Sequence, residues 1–189
     1  MTAMSVTKPE SFFALLGAVL LALLLSIPPA HAASAAEIDY EVDAALVAFR
    51  KIDGADAFLG IAKGALVFPK VYKAGIGLGG EYGEGALRVA GTTVDYYSTA
   101  AASFGFQLGA QAKTIVILFT EESALRKFRE SEGWKVGVDG SVALVDIGVG
   151  KAVDTTNIKD PVIGFVFGQK GLMYNLTLEG SKFSKLDKK

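Results

Sequence analysis

The sequence contains no cysteine and a single histidine, His31. Without cysteine it can form no disulfide, no thiolate metal site and no lipid-modified cysteine anchor. His31 lies in an N-terminal segment expected to be removed, which leaves the remaining chain without histidine as well. That combination excludes Ser-His-Asp and Cys-His nucleophilic chemistry and the usual zinc and copper ligands. Charge of one sign is also lacking, since 19 Lys and Arg stand against 20 Asp and Glu. Bulk electrostatics therefore draws the chain neither to nucleic acid nor to anionic membrane. Only five prolines occur, and no linker, low-complexity tract or second domain is visible.

What is present begins with a leader. "FFALLGAVLLALLLSI", Phe12 to Ile27, carries no charge and is followed by Pro28, Pro29 and the small-x-small site Ala30-His31-Ala32. This is the pattern of a cleaved secretory signal, with cleavage expected after Ala32 and an exported, periplasmic or envelope-associated product. The rival reading is an uncleaved anchor, because sixteen apolar residues approach the roughly 20 that span a bilayer. The domain is expected at residues 33–189, long enough for one real core.

Hydrophobic spacing gives the elements. Ile38, Val42, Leu46, Phe49 and Ile52 recur at helical intervals between Glu37 and Ile52, with acids at the start and Arg50 and Lys51 at the end, as the helix dipole favours. A short second helix is expected over "ADAFLGIAKG", closed by Gly64. "ALVFPKV" is a strand in which Pro69 marks an edge or a bulge. Thr114 to Phe119 is a near-continuous apolar run expected to be a strand buried on both sides. A surface helix follows at residues 121–132, with Thr120 as its cap and Ala124, Leu125 and Phe128 as its apolar stripe. Asp139-Gly140 predicts a hairpin turn, and Gly168 to Gly171 a second one. The fold expected is α+β: one domain with a curved antiparallel sheet, or a barrel, and flanking helices.

"KAGIGLGGEYGEG" places six glycines between Gly75 and Gly85. A dinucleotide or phosphate loop needs a strand, a tight turn and a helix, or Gly-Lys-Ser/Thr. Here β-branched sequence follows, and Glu81 and Glu84 would repel phosphate. Gly75, Gly77 and Gly79 alternate with Ile76 and Leu78. Period two is strand geometry, so these glycines are expected on a strongly curved sheet face that lets another backbone or ring approach.

Four blocks carry a family resemblance: "AKGALVFPKVYKAGIGLGGEYGEGAL", "YYSTAAASFGFQLGAQ", "GWKVGVDGSVAL" and "IKDPVIGFVFGQKGLMYNLTLEGSK". In order and spacing they resemble the SYLF domain, from about Ile38 to Lys182. The resemblance implies a non-enzymatic module, lipid-binding in general and actin-binding in fungal members. For an exported protein actin is not expected, and the implied partner is membrane lipid or another amphiphile. The alternative is a structural or protein-interaction module of the envelope with no lipid site.

Candidate lipid contacts are Lys63, Lys70, Lys73 and Lys113 for an anionic headgroup, and Tyr97 and Phe104, with Tyr96 and Phe106, for an acyl chain. The plainer readings are solvated strand-end lysines and ordinary aromatic core. Asp139, Asp146, Asp154 and Asp160 match no EF-hand spacing. No motif singles out a carboxylate pair, so neither catalytic residues nor a metal nor any cofactor is expected.

Overall fold

The computed structural model describes residues 33–146, 160–171, 178 and 180–188. The expected leader and Asp154 lie outside the described residues. Residues Ala33–Lys189 form one compact unit.

Helix α1 spans Ala35–Arg50, and its cap Ser34 accepts a hydrogen bond from the Glu37 N–H at 3.2 Å. Ile38, Val42, Ala45 and Phe49 face inward, one stripe at helical spacing. The acids on its other flank have a docking role. Asp39 accepts from Thr93 Oγ1 at 2.6 Å and Tyr96 OH at 2.8 Å, Asp43 from Arg88 at 2.7 Å, and Glu41 pairs with Lys70. After Gly54, in the left-handed region at φ 81°, helix α2 runs over Ala55–Ile61. It stops short of Gly64, which instead opens the next strand.

That strand, β1 (Gly64–Val89), pairs antiparallel with β2 (Thr92–Phe119) along its whole length. Ala90 and Gly91, both at positive φ, form the two-residue loop between them, as the twist of a hairpin requires. Pro69 sits at a bulge, where the register shifts between Phe68 and Val71. Such long strands cannot stay straight in a compact domain, and β1 creases at its glycines. A Cβ on Gly75 would lie 2.5 Å from Leu78 O and 2.9 Å from Gly79 N. One on Gly83 would lie 2.7 Å from Lys70 O, and one on Gly85 2.8 Å from Phe68 Cδ1. β1 is thus folded back on itself about Gly77. The expectation of glycines admitting a backbone or a ring holds, with the tightest approaches at Gly85 and Gly75.

The second edge of β2 is shared. Tyr96–Ala100 pair with β6 (Lys182–Leu186), and residues 111–119 pair with β5 (Val162–Gly171). With β3 at Trp134–Lys135 and β4 at Ala143–Asp146, the sheet order is β3-β6-β2-β5-β4, with β1 joined to β2 off that path, and the whole curls into a half-barrel. The architecture is the α+β single domain expected. Its sheet is antiparallel except that β4 (Ala143–Asp146) runs parallel to β5.

Neither predicted hairpin turn joins paired neighbours. At Asp139-Gly140 a turn does form: the Asp139 carboxylate accepts from the Lys135 N–H at 2.7 Å, and a Cβ on Gly140 would meet Trp134 Cζ2 at 2.7 Å. Yet β3 (Trp134–Lys135) goes to β6 and β4 to β5, so the flanking strands part. Gly168 (φ 65°) is a bulge within a continuous β5, where the register slips against Ala112 and Thr114. Helix α3 (Glu122–Glu130) is capped by Glu121 without a side-chain bond, because the Thr120 hydroxyl donates to Asp160 O at 3.1 Å.

The sheet has two buried faces. Inside the curl, Leu66, Phe68, Ile115 and Ile117 surround Phe128 of α3, whose ring stands 5.0 Å from Tyr97 and 4.9 Å from Phe119. Outside, Val67, Val116 and Leu118 lie under α1 and α2, where Phe49 and Phe58 pack on Phe165 at 5.0 and 5.2 Å. The run Thr114 to Phe119 is therefore covered on both sides, as its composition predicts.

Candidate functional site

The alternation of β1 sorts the creased segment into two faces, and the predicted residues divide between them. Lys63, just before β1, is exposed. Lys70 is exposed too, but its ammonium is held by Glu41, and this hydrogen bond raises its pKa. Lys73 and Lys113 are not on that surface. They are buried inside the curl, 6% and 2% exposed. The four lysines therefore do not form one headgroup patch. The reason is parity: Lys73 shares the inward phase of Val71, and Lys113 that of Ile115 and Ile117.

Tyr97 lies in the core against Phe128, and burial pushes its phenol up to about 12. It lines no open acyl pocket. Tyr96 faces the helix side, donating to Asp39. Phe104 stands opposite Leu78 in the β1–β2 register, and its side chain, like that of Phe106, lies outside the described residues.

On the inner face, Lys113 Nζ donates to Glu81 Oε2 at 2.9 Å and lies 2.9 Å from Oε1 as well, so the ammonium straddles the carboxylate. This ion pair crosses the crease, joining the proximal arm of the hairpin to the distal one. Lys73 stands directly opposite Gln111, whose amide nitrogen donates to Gln169 at 3.3 Å and whose oxygen is buried without a donor. Thr99, opposite Gly83, is fully buried with an unpartnered hydroxyl.

The outer face of the same segment is apolar and open. Tyr72, Leu78 and Tyr82 are 59%, 67% and 50% exposed. Ala74 and Gly80 lie between them, and Ala110, Ala102 and Ala100 stand opposite Ala74, Gly80 and Tyr82. At one end, exposed Lys170 pairs with Ala112, itself opposite Tyr72, so a cation stands beside the strip. Sequence reasoning missed this strip, although Tyr72, Leu78 and Tyr82 share one parity in β1. A separate groove of about 490 Å³ runs by Asp95, Tyr96 and Lys185. Of its charges, Asp95 is paired with Arg129 and Lys185, and Lys188 with Glu84.

The family model Ysc84, described as Las17-binding protein actin regulator, matches residues 100–189. Over these residues the chain is similar to that family, in keeping with the resemblance to the SYLF domain. No curated protein matches it. The matched residues take in most of β2, α3 and, among the described residues, every later strand. The creased β1, with Lys73, Glu81 and the exposed strip, precedes them. Among the described residues no group of His, Asp and Glu is placed to hold a metal ion, and no helix is long and apolar enough to cross a membrane.

Proposed function

We propose that the protein binds lipid at a membrane surface of the cell envelope, without catalysis, after export and removal of its leader. The observation that carries this reading is the exposed strip Tyr72-Leu78-Tyr82 with lysine at its margin. A tyrosine near each end and an aliphatic residue between them suit the boundary of a bilayer, where aromatic rings sit at headgroup level and aliphatics reach deeper. Glycine and alanine around them leave these three side chains standing clear on the convex side of the crease, and Lys170 supplies attraction to anionic headgroups. The association of SYLF proteins with lipid points the same way. The actin-regulator description belongs to the family, and an exported protein would not meet actin.

Vesicle co-sedimentation tests it. The protein should sediment with vesicles containing anionic lipid and weakly with neutral ones. Burying a leucine is worth about 1.5–3 kcal/mol, so Leu78→Asp should cut binding at least about tenfold. A lysine near such a surface contributes about 1 kcal/mol, so Lys170→Gln should cut it roughly fivefold. Sedimentation unchanged by Leu78→Asp would overturn the assignment of the strip, and no sedimentation with any vesicle would overturn the lipid reading.

One observation favours the alternative of an envelope protein partner. Helix α1 also exposes Tyr40 (76%) and Val47, aligned with Ala36 and Ala44 and flanked by Glu37 and Asp43. An apolar stripe with an acidic border suits a basic protein surface better than an anionic membrane.

A further inference from the structure

We propose that the outward face of helix α1 pairs with the same face of a second copy of this chain, the two helices lying antiparallel about a two-fold axis at Ala44. The proposal rests on the protein-partner reading of α1 given above and names that partner. It does not depend on the lipid reading, because α1 and the strip share no residue.

The first observation is what α1 leaves uncovered. Ile38, Val42, Ala45 and Phe49 seat it on the sheet. Its outward face carries Tyr40, 76% exposed, and Val47, 55% exposed, with Ala44 and Ala48 exposed beside them. A helix that only covers a sheet is polar on that side. Glu37, Tyr40, Ala44, Val47 and Lys51 follow one another at alternating steps of three and four, the seam spacing by which two helices pack side by side. Alanine at the middle lets a second helix come close, and the Tyr40 ring then lies over the partner's Ala48.

The second observation is charge. Most charges of α1 and its cap are engaged within the chain: Asp39 and Asp43 with Arg88, Glu41 with Lys70, and Arg50 with Asp56. Among the described residues, Glu37 and Lys51 alone of this set have no ion pair. Both are exposed, and each lies seven residues from Ala44, on opposite sides. An antiparallel copy therefore sets each Glu37 against the partner's Lys51, whereas a parallel copy would set like charge on like. This is the self-complementarity that a two-fold interface requires. An anionic membrane would repel Glu37, and a uniformly basic surface would repel Lys51. One helix face buries less than the roughly 800 Å² per partner of a standard complex, so the pairing is weak and depends on concentration.

Sedimentation equilibrium of residues 33–189, which form one compact unit, should show monomer and dimer exchanging between about 10 and 500 μM. Glu37→Lys or Lys51→Glu alone should weaken the dimer at least about tenfold. The two together should restore it, which keeps the test readable if one reversal disturbs folding. The sequence has no cysteine of its own, so Ala44→Cys probes the axis directly. Packed helix axes lie about 8–10 Å apart and each Cα stands about 2.3 Å from its axis. Facing Cα atoms then come within about 3.5–5.5 Å, overlapping the roughly 4.4–6.8 Å that a disulfide spans. Ala44→Cys should cross-link to its own image under mild oxidation. Glu37→Cys should not, being about 21 Å from its image along the pair. Monomer at every concentration, no recovery in the double reversal, or cross-linking as ready at Glu37→Cys as at Ala44→Cys would overturn the pairing. A photo-cross-linking residue in place of Tyr40, used in the producing cells, separates this failure from that of the protein-partner reading. An adduct of twice the mass supports the pairing; an adduct with a different protein overturns it and keeps the partner reading; no adduct overturns both.

Discussion

Replacing Gly85 by alanine tests the crease with the smallest possible perturbation. The added methyl carbon would stand 2.8 Å from Phe68 Cδ1 and 2.8 Å from the carbonyl carbon of Val67, and closer still to that carbonyl's oxygen. The ring can turn aside, but the carbonyl belongs to the backbone of the facing arm and cannot yield without opening the crease. Overpacking of a close-packed interior costs about 1–3 kcal/mol, and a backbone obstacle puts this substitution at the upper end, about 3 kcal/mol. For a domain of this size each kcal/mol moves the melting temperature by about 2–4 °C, so Gly85→Ala should melt roughly 6–12 °C lower. Gly80→Ala is the control within the same glycine run. Nothing lies within 4 Å of its added carbon, and its φ is not in the left-handed region. It should be neutral, or stabilising by about 0.4–1 kcal/mol through the unfolded chain. Thermal melts followed by circular dichroism decide between them. Equal losses in both variants, or none in Gly85→Ala, would refute the creased packing.

The Lys113–Glu81 pair, with side chains 1% and 4% exposed, should behave as a buried clamp. Lys113→Met alone should cost about 3–5 kcal/mol in urea unfolding, and Glu81→Met with Lys113→Met should recover most of that loss. Tyr97 gives a pH dependence. Burial raises its phenol to about 12 from 10.0, so the folded state holds the proton more tightly and stability, intact below pH 10, falls as pH rises from about 10 to 12. Tyr97→Phe should flatten that fall and be neutral or stabilising at pH 7, since its hydroxyl is buried without a partner; equilibrium unfolding across pH 8–12 checks both. The same variant should bind vesicles as the parent does.

Much of the fold was legible because it rests on local rules. The stripe of α1, the bulge at Pro69, the two-sided run Thr114 to Phe119 and the period-two glycines each follow from geometry within a few residues. What escaped depends on distant partners. Nothing near Gly85 announces that Val67 will lie against it, because the approach exists only once β1 has doubled back. Nothing near Asp139 says that β3 and β4 will leave for β6 and β5. The burial of Lys113 is a different case. Counting back by two from Ile117 and Ile115 puts it on the inner face, so the sequence carried the signal and the habit of reading lysine as surface overrode it. The same count from Val71 buries Lys73.

The crease gives one glycine-rich segment two unlike surfaces. A strand buried on one face ordinarily alternates apolar-in and polar-out, and this segment inverts the rule, with Lys73 and Glu81 inside and Tyr72, Leu78 and Tyr82 outside. Inversion is costly for folding on both counts, since it withdraws charge from water and leaves aromatic surface in it. The Lys113–Glu81 bond recovers part of the inner cost by tying the two arms together. Nothing within the described residues recovers the outer cost, which the segment would lose on meeting an apolar phase. A fold that needed only a tight bend could have used the same glycines with the alternation the right way round. The Lys113–Glu81 clamp accounts for charge on the inner face, and the membrane contact proposed above would account for Tyr72, Leu78 and Tyr82 on the outer one.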